Sequence, residues 1–488
     1  MPITGNRKFE SKDEYDNHWD HCQANPEKYN VRSKNHHKIL QAAVDQKLFN
    51  YSDHVIDIFD LDKFHKRLTD LTDTFHEPFF THALAVKAQA ISGILCYAHN
   101  NFTGKIGCEG ASLAEVIHGN RAGFAPENTV YDSPVKTPEE LAIAIEMGFH
   151  INLDNSDDME VISDLLKQEK YKNSKSTFGV RLNPLAGVGA IAALSTAGVG
   201  SKFGMIYCDK TFDQILGYFK KYKFLTGLHA HVGSQGCSLE QIGFGAKTVC
   251  EAAEKLNQAL KEIDEESDRI NILDIGGGVS TSYDQEEDAV PFIEYRKVLE
   301  KMCPESLFSG KFRIITEFGR SVFTKCGVTI TEIFSIKDSN SNGTEIDKMR
   351  QDHNLNPILF SHVGSNVFYR EVYQPENWRR RFTLYKSDGS RKEISGSEGE
   401  TRKYDIAGPL CFQGDYLCKN VLLPENLEKG DLLMMHETGG YSMALYSKYN
   451  SRASHNCYGW SESQGFQLLK PKQTMDENLG FWGPYSCK

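Results

Sequence analysis

From residue 80 onward the chain repeats one pattern of apolar and polar positions. A short apolar run is followed by a longer stretch whose apolar residues return every three or four places. The short runs are ALAVKA (83–88), KIGCE (105–109), TVYDS (129–133), HINLD (150–154), FGVRL (178–182), GLHAHV (227–232), NILDI (271–275) and RIITEF (313–318). Between them lie stretches such as TPEELAIAIEMGF and EQIGFGAKTVCEAAEKLNQALKEI, spaced as amphipathic helices. Alternating strands and helices pair their strands in parallel, and eight repeats over about 240 residues match a closed (β/α)8 barrel of the TIM type. An open doubly wound sheet is the alternative that the same alternation allows.

Past residue 325 the pattern changes. The runs VTITEIFSI, RFTLYKS, YLCKNVLL and DLLMMHE alternate with turn residues, and no long helical period appears. This predicts a barrel over 61–325 followed by an antiparallel β domain, barrel or sandwich, over 326–488. A polar N-terminal extension, 1–34, contains GNRKFESKDEYDNHWD, and DSNSNGTEIDKM covers 338–349; both read as solvated segments.

Composition narrows the function. A chain of 488 residues is too long for one core and predicts two domains. Its net charge of -11 lacks the basic surface that exchanges counterions with phosphates, so nucleic acid is not an expected partner. The twelve cysteines show no paired metal spacing, so no metal is expected, and the polar N-terminus has no apolar signal core. No apolar run approaches the roughly 20 residues that span a bilayer. The expectation is a cytoplasmic protein acting on a small molecule, with no membrane partner.

In a barrel the chemistry sits at the C-terminal ends of the strands. There the first strand closes with Lys87, the sixth with His231, the seventh with Gly276, Gly277 and Gly278, and the eighth with Glu317, Gly319 and Arg320. Taken singly, these are a surface lysine, a core histidine and a turn. Taken together, they form a set. A lysine shielded from water can lose its proton and condense with an aldehyde. Bare glycine amides after strand seven can approach a phosphate closely. Aldehyde and phosphate together point to pyridoxal 5'-phosphate, with Glu317 as the carboxylate that keeps the pyridine nitrogen protonated. His231 would lie against the ring, His229 on the same side of its strand, and Ser234 toward the phosphate.

The motifs ALAVKA, STAGVGSKFG, HAHVGSQ, DIGGG, TEFGR, GPLCFQGD and GGYSMALYSKYNS resemble, in that order, those of the diaminopimelate and ornithine decarboxylases, the barrel-type (fold type III) pyridoxal phosphate decarboxylases. The resemblance spans roughly residues 35 to 455. It implies that segment 35–60 joins the C-terminal β domain and that the enzyme is a homodimer with shared sites. It further implies that Lys87 binds the cofactor and that His231 stacks on it. Ser234, Gly276 to Gly278, Gly319, Arg320 and Tyr441 would surround the phosphate, and Glu317 would hold the ring nitrogen. Cys411 from the partner chain would return a proton to the carbon that lost carbon dioxide. Alanine racemases resemble the scaffold but place arginine at the ring nitrogen. Antizyme inhibitors resemble ornithine decarboxylase without binding cofactor; Lys87, Glu317 and Cys411 together set this chain apart from both.

Two departures bear on the substrate. Family members acting on diamino acids follow the cysteine with an acidic residue that meets the distal ammonium, whereas this chain has Phe412. The segment GSNVFYREVYQP offers Arg370, one place from the family's arginine, and Tyr373 as substrate contacts. In addition, ENWRRRF (376–382) gathers three arginines, groups that bind carboxylates in pairs of hydrogen bonds when they are not simply solvated. If they face the site, the pattern predicts a substrate with an acylated distal amine and several carboxylates, of the citryl-diamino acid type found in carboxylate siderophore assembly. Diaminopimelate decarboxylation for lysine synthesis is the alternative, and an aliphatic amino acid such as methionine or leucine the third. The closing stretch, 459–488, carries no motif with a role.

Overall fold

The computed structural model describes residues 3–4, 7–24, 34–50, 52–264, 268–285, 290–338, 344–392 and 401–485. Two units emerge: His65–Thr281 with Ala289–Val322, and Met1–Phe64 with Ser282–Asp288 and Phe323–Lys488.

The first unit is a closed parallel barrel. Its strands are β1 (Phe80–Ala85), β2 (Ile106–Gly110), β3 (Thr129–Asp132), β4 (His150–Leu153), β5 (Thr177–Asn183), β6 (Leu225–His229), β7 (Ile272–Asp274) and β8 (Arg313–Phe318). Each pairs with the next in parallel, and β8 closes on β1 through Ile314 opposite Phe80 and Phe318 opposite Leu84. Every strand overlaps one of the eight apolar runs, and because β8 pairs with β1 the barrel stands and the open sheet does not. Helix Pro138–Met147 shows why the intervening stretches fold locally. Thr137 and Glu140 form a reciprocal capping box, Pro138 opens the first turn, and Gly148 at φ 81° ends the helix in a conformation that glycine adopts without strain.

The second unit holds two large sheets, besides a two-stranded antiparallel ribbon of Ile3–Thr4 and Arg7–Lys8. The larger runs in the order Phe382–Tyr385, Leu432–Met435, Gly327–Glu332, Val55–Asp60, Asn456–Ser461, Gly465–Lys470. The smaller runs Ser335–Lys337, Ile358–Phe360, Thr401–Ala407, Tyr416–Pro424. The expected antiparallel domain is in fact mixed. Val55–Asp60 pairs in parallel with Asn456–Ser461, and Ile358–Phe360 in parallel with Thr401–Ala407. Parallel pairing needs a long connection between partners, and here one partner comes from the far side of the barrel in sequence. Ile39, Leu40 and Ala43 of helix Lys34–Asp45 share a core with Ile56, Ile58, Val328, Ile330 and Met434.

The polar start of the chain is not a solvated arm where it is described. Residues Lys12–Ala24 form a helix, and Phe9, Tyr15, Trp19 and Cys22 are buried. Apolar residues at 15, 19 and 22 return at helical spacing within a polar composition, so one stripe suffices to dock the helix. Residues 25–33 and 339–343 lie outside the described residues. In the second polar segment, Glu345–Asp352 is helical.

Candidate active site

The period of two along a strand builds the mouth of the barrel. Ala83, Val130, Ile272 and Ile315, from β1, β3, β7 and β8, pack in one apolar cluster. Two places further along the same strand faces stand Ala85, Asp132, Asp274 and Glu317. An apolar layer is thus overlain by a polar one at the C-terminal ends of the strands. Glu109, Asn152, Arg181 and His229 from the remaining strands are also buried.

Burial obliges these charges to pair. Arg181 Nη1 donates to Asp132 Oδ2 at 2.7 Å, Asn152 Nδ2 to Asp274 Oδ2 at 2.9 Å, and the Gly276 amide to Asp274 Oδ1 at 3.0 Å. His229 bridges the two carboxylates, with Nδ1 3.3 Å from Asp274 Oδ1 and Nε2 3.6 Å from Asp132 Oδ2. Burial alone would lower its imidazole, but Asp274, Glu317 and Asp132 outweigh it and hold His229 well above the usual range. For Asp274 the burial penalty is likewise outweighed, chiefly by His229, and the carboxyl falls to about 2. The layer is therefore a fixed set of charges.

Above this layer stand the residues singled out in the sequence. Lys87 lies two residues beyond β1, its ammonium 2.7 Å from Glu109 Oε1, and its side chain keeps 35% of its exposure while that of Glu109 keeps none. Burial pushes the Glu109 carboxyl up despite the pull of Lys87. His231, past the end of β6, accepts the Gly277 amide on Nδ1 at 3.1 Å. A nitrogen that accepts carries no proton, and burial together with Lys87, Arg181 and His229 keeps the imidazole neutral, well below its usual range. The Ser234 amide donates to the Leu194 carbonyl at 3.1 Å. Arg320 is buried at the start of helix Arg320–Phe323, directly after Gly319.

Glu317 is the unusual member. It is buried, and neither of its carboxyl oxygens has a hydrogen-bond partner. His231 Nδ1 is 3.6 Å away, beyond hydrogen-bond range. Burial, reinforced by Asp274, pushes the carboxyl well above the ordinary carboxylate range. The glycines beside it allow no side chain. Gly276 and Gly278 lie at φ 65° and 106°, and a Cβ on Gly277 would stand 1.8 Å from the Glu317 carbonyl oxygen. A buried carboxyl with idle oxygens, beside a side-chain-free loop and an accessible amine, fits a cofactor bearing an aldehyde, a phosphate and a protonatable ring nitrogen.

The other candidates belong to the second unit. Asp415 anchors the loop that carries Cys411, accepting from the amides of Leu410 at 2.9 Å and Ser365 at 2.7 Å. Cys411 is exposed. Phe412 stacks on Tyr373 with centroids 5.7 Å apart and planes 12° apart, and Tyr373 packs on Tyr369 at 4.5 Å. The Arg370 guanidinium lies over the rings of Trp378, at 5.1 Å, and Tyr441, at 4.6 Å.

The three consecutive arginines are neither solvated nor free to meet a substrate. Arg380 is buried against Glu371, with Nε donating to Oε1 at 2.6 Å, and Arg381 is buried against Glu437, with Nε donating to Oε2 at 3.0 Å. Arg379 lies over Trp19 and meets Asp16 at 3.3 Å. Their partners come from 371, 437 and 16, which the local sequence does not disclose. Conversely, nothing in the sequence singles out Glu109, Asp132, Asn152, Arg181 and Asp274, although each is a charged or amide residue within one of the strand runs.

The family model for "Pyridoxal-dependent decarboxylase, pyridoxal binding domain" matches residues 61–324. Diaminopimelate decarboxylase of Helicobacter pylori is 26% identical over 401 residues, covering 81% of this chain and 87% of the relative. That of Zymomonas mobilis is 25% identical over 375 residues, covering 76% and 78%. Among solved structures, H. pylori diaminopimelate decarboxylase complexed with L-lysine superposes with a TM-score of 0.73 at 22% identity, covering 90% of this chain and 99% of that one. The arginine decarboxylase of Paramecium bursaria Chlorella virus, bound to agmatine, superposes with a TM-score of 0.66 at 19% identity, covering 87% and 100%. Among the described residues no helix is long and apolar enough to cross a membrane.

Proposed function

Because the chain belongs to the pyridoxal-dependent decarboxylase family and is a pyridoxal phosphate-dependent carboxy-lyase, we propose that it decarboxylates a diamino acid of the diaminopimelate type, with Lys87 and Glu317 as the groups that hold and tune the cofactor. The observation that carries this assignment is the buried Glu317 carboxyl with both oxygens idle. A ring N–H would satisfy it, and sharing that proton keeps the pair compatible with burial. Lys87 would carry the cofactor through its half-buried amine, and His231, held neutral by the Gly277 amide, would pack on the ring without adding charge. The side-chain-free loop Gly276 to Gly278, whose first two amides already serve Asp274 and His231, would receive the phosphate together with Ser234, Gly319, Arg320 and Tyr441. Once bound, the cofactor supplies an electron sink for the charge left when carbon dioxide departs. Cys411 would return the proton to that carbon. An exposed thiol suits a role in the site of a second copy, and we include a homodimer with shared sites in the proposal.

Two findings support this substrate order. The relatives carry the name diaminopimelate decarboxylase, and the buried pairs of Arg380 and Arg381 take away the carboxylate receptor that a citryl group would need. Phe412 can still serve a distal ammonium. Its ring, backed by Tyr373, offers a π face to a cation, worth about 1–2 kcal/mol when desolvated. A second reading keeps the same stack as an apolar wall for a substrate whose distal amine is acylated.

The test is a comparison of kcat/KM for diaminopimelate, ornithine, lysine and an N-citryl diamino acid in wild type, Phe412→Leu and Phe412→Glu. The diaminopimelate reading expects that substrate to lead in wild type, to lose roughly five- to thirty-fold in Phe412→Leu, and to recover in Phe412→Glu. A wild-type preference for the acylated compound would replace it with the second reading.

A further inference from the structure

We propose that His18, Cys22 and Asp284 form a binding site for a divalent metal ion of the zinc class, separate from the barrel chemistry. His18 and Cys22 stand one turn apart on helix Lys12–Ala24, and Asp284 comes to them from the connection between β7 and β8, in a segment that belongs to the same unit as the helix. All three are buried, and their donor atoms lie within 4.8 Å of one another. The linear spacing of the cysteines could not have shown this, because one ligand is 266 residues from another.

The three donors lie close enough to share one ion. Asp284 Oδ2 is 2.7 Å from His18 Nε2, and Cys22 Sγ is 3.4 Å from Nε2 and 3.9 Å from Nδ1, so the sulfur stands beside the ring and has to swing toward the carboxylate to share a centre with Nε2. Zinc bonds of about 2.0–2.3 Å place tetrahedral ligand atoms roughly 3.3–3.6 Å apart. The Cys22 to His18 edge already has that length. The His18 to Asp284 edge must open by about 0.6 Å from its hydrogen-bonded length to reach it.

Charge and donor type agree with the same ion. A dication with one thiolate, one carboxylate and one neutral imidazole sums to zero, which suits a buried site. Thiolate and imidazole select zinc or cobalt over magnesium and calcium. Lys325, whose charge also acts on Asp284, is engaged by the Gln285 carbonyl and by Glu437 at 3.5 Å. With water in the fourth position, the ion would tie the N-terminal helix to segment 282–285 and stabilise that contact when bound.

The experiment uses the full-length, cofactor-loaded enzyme, stripped with a chelator and titrated with Zn2+, then with Co2+. Variants are Cys22→Ser and His18→Gln, with Cys208→Ser as the control for a less buried thiol. Wild type and Cys208→Ser should hold one equivalent of zinc through desalting, and their cobalt forms should show thiolate-to-metal charge transfer in the near ultraviolet. Cys22→Ser should lose that band, and both site variants should bind zinc at least about a hundredfold more weakly, more than outer-shell changes cost. Wild-type zinc no higher than in Cys22→Ser, or a band that survives in Cys22→Ser, would overturn the proposal. Should a variant fail to fold, zinc re-addition to stripped wild type decides: a rise in Tm supports the site and an unchanged Tm refutes it.

Discussion

Gly277→Ala perturbs the account at its tightest point. The added Cβ would lie 1.8 Å from the Glu317 carbonyl oxygen, whereas close carbon–oxygen contacts stop at about 3.3 Å. The loop or β8 must therefore separate by about 1.5 Å. The neighbours are backbone atoms that cannot rotate away, so the strain should reach about 3 kcal/mol or more. The displaced residue is the one whose carboxyl is assigned to the ring nitrogen, and misplacement by about 1 Å can cost a hundredfold in rate. The expected outcome is a lowered Tm, weakened cofactor binding in an absorbance titration, and decarboxylation reduced by about a hundredfold or more. Gly217→Ala is the control, since a Cβ there meets nothing within 4 Å on helix Phe212–Lys221. Wild-type cofactor affinity and turnover in Gly277→Ala would refute the packing of loop 276–278 against β8 as the basis of the cradle.

Arg381→Met should cost about 1–3 kcal/mol by leaving the buried Glu437 carboxylate with Lys325 as its remaining cation, while KM in the remaining folded enzyme stays at its wild-type value; a raised KM at unchanged Tm would return the arginine cluster to the substrate. Mixing inactive Lys87→Ala and Cys411→Ala chains should restore part of the activity through hybrid dimers, and no recovery despite demonstrated subunit exchange would put both residues in one chain's site.

The barrel was legible because each strand is an apolar run between helical stretches, and the run alone fixes element type. The ends were less so. The run 83–88 overlaps a strand, Phe80–Ala85, that starts before it and stops at Ala85, which leaves Lys87 in the following turn. The site was legible where chemistry is rare by residue type, as with a lysine, a histidine and three glycines at strand ends. It was not legible where function comes from pairing across the barrel. Nothing local in TVYDS or FGVRL tells that Asp132 and Arg181 meet at 2.7 Å. The arginines of ENWRRRF failed as a substrate signal for the same reason, since their carboxylates arrive from other elements. The mixed sheet also depends on distance along the chain: Val55–Asp60 pairs with residues some four hundred places later, and periodicity has no term for that.

The most direct measurement is the absorbance and activity of purified Lys87→Ala. The expected result is a folded protein with wild-type Tm in the absence of cofactor, no cofactor absorbance surviving desalting, and no release of carbon dioxide from diaminopimelate. Retained cofactor absorbance together with turnover near the wild-type rate would contradict it, because no other amine at the mouth of the barrel has been assigned that bond.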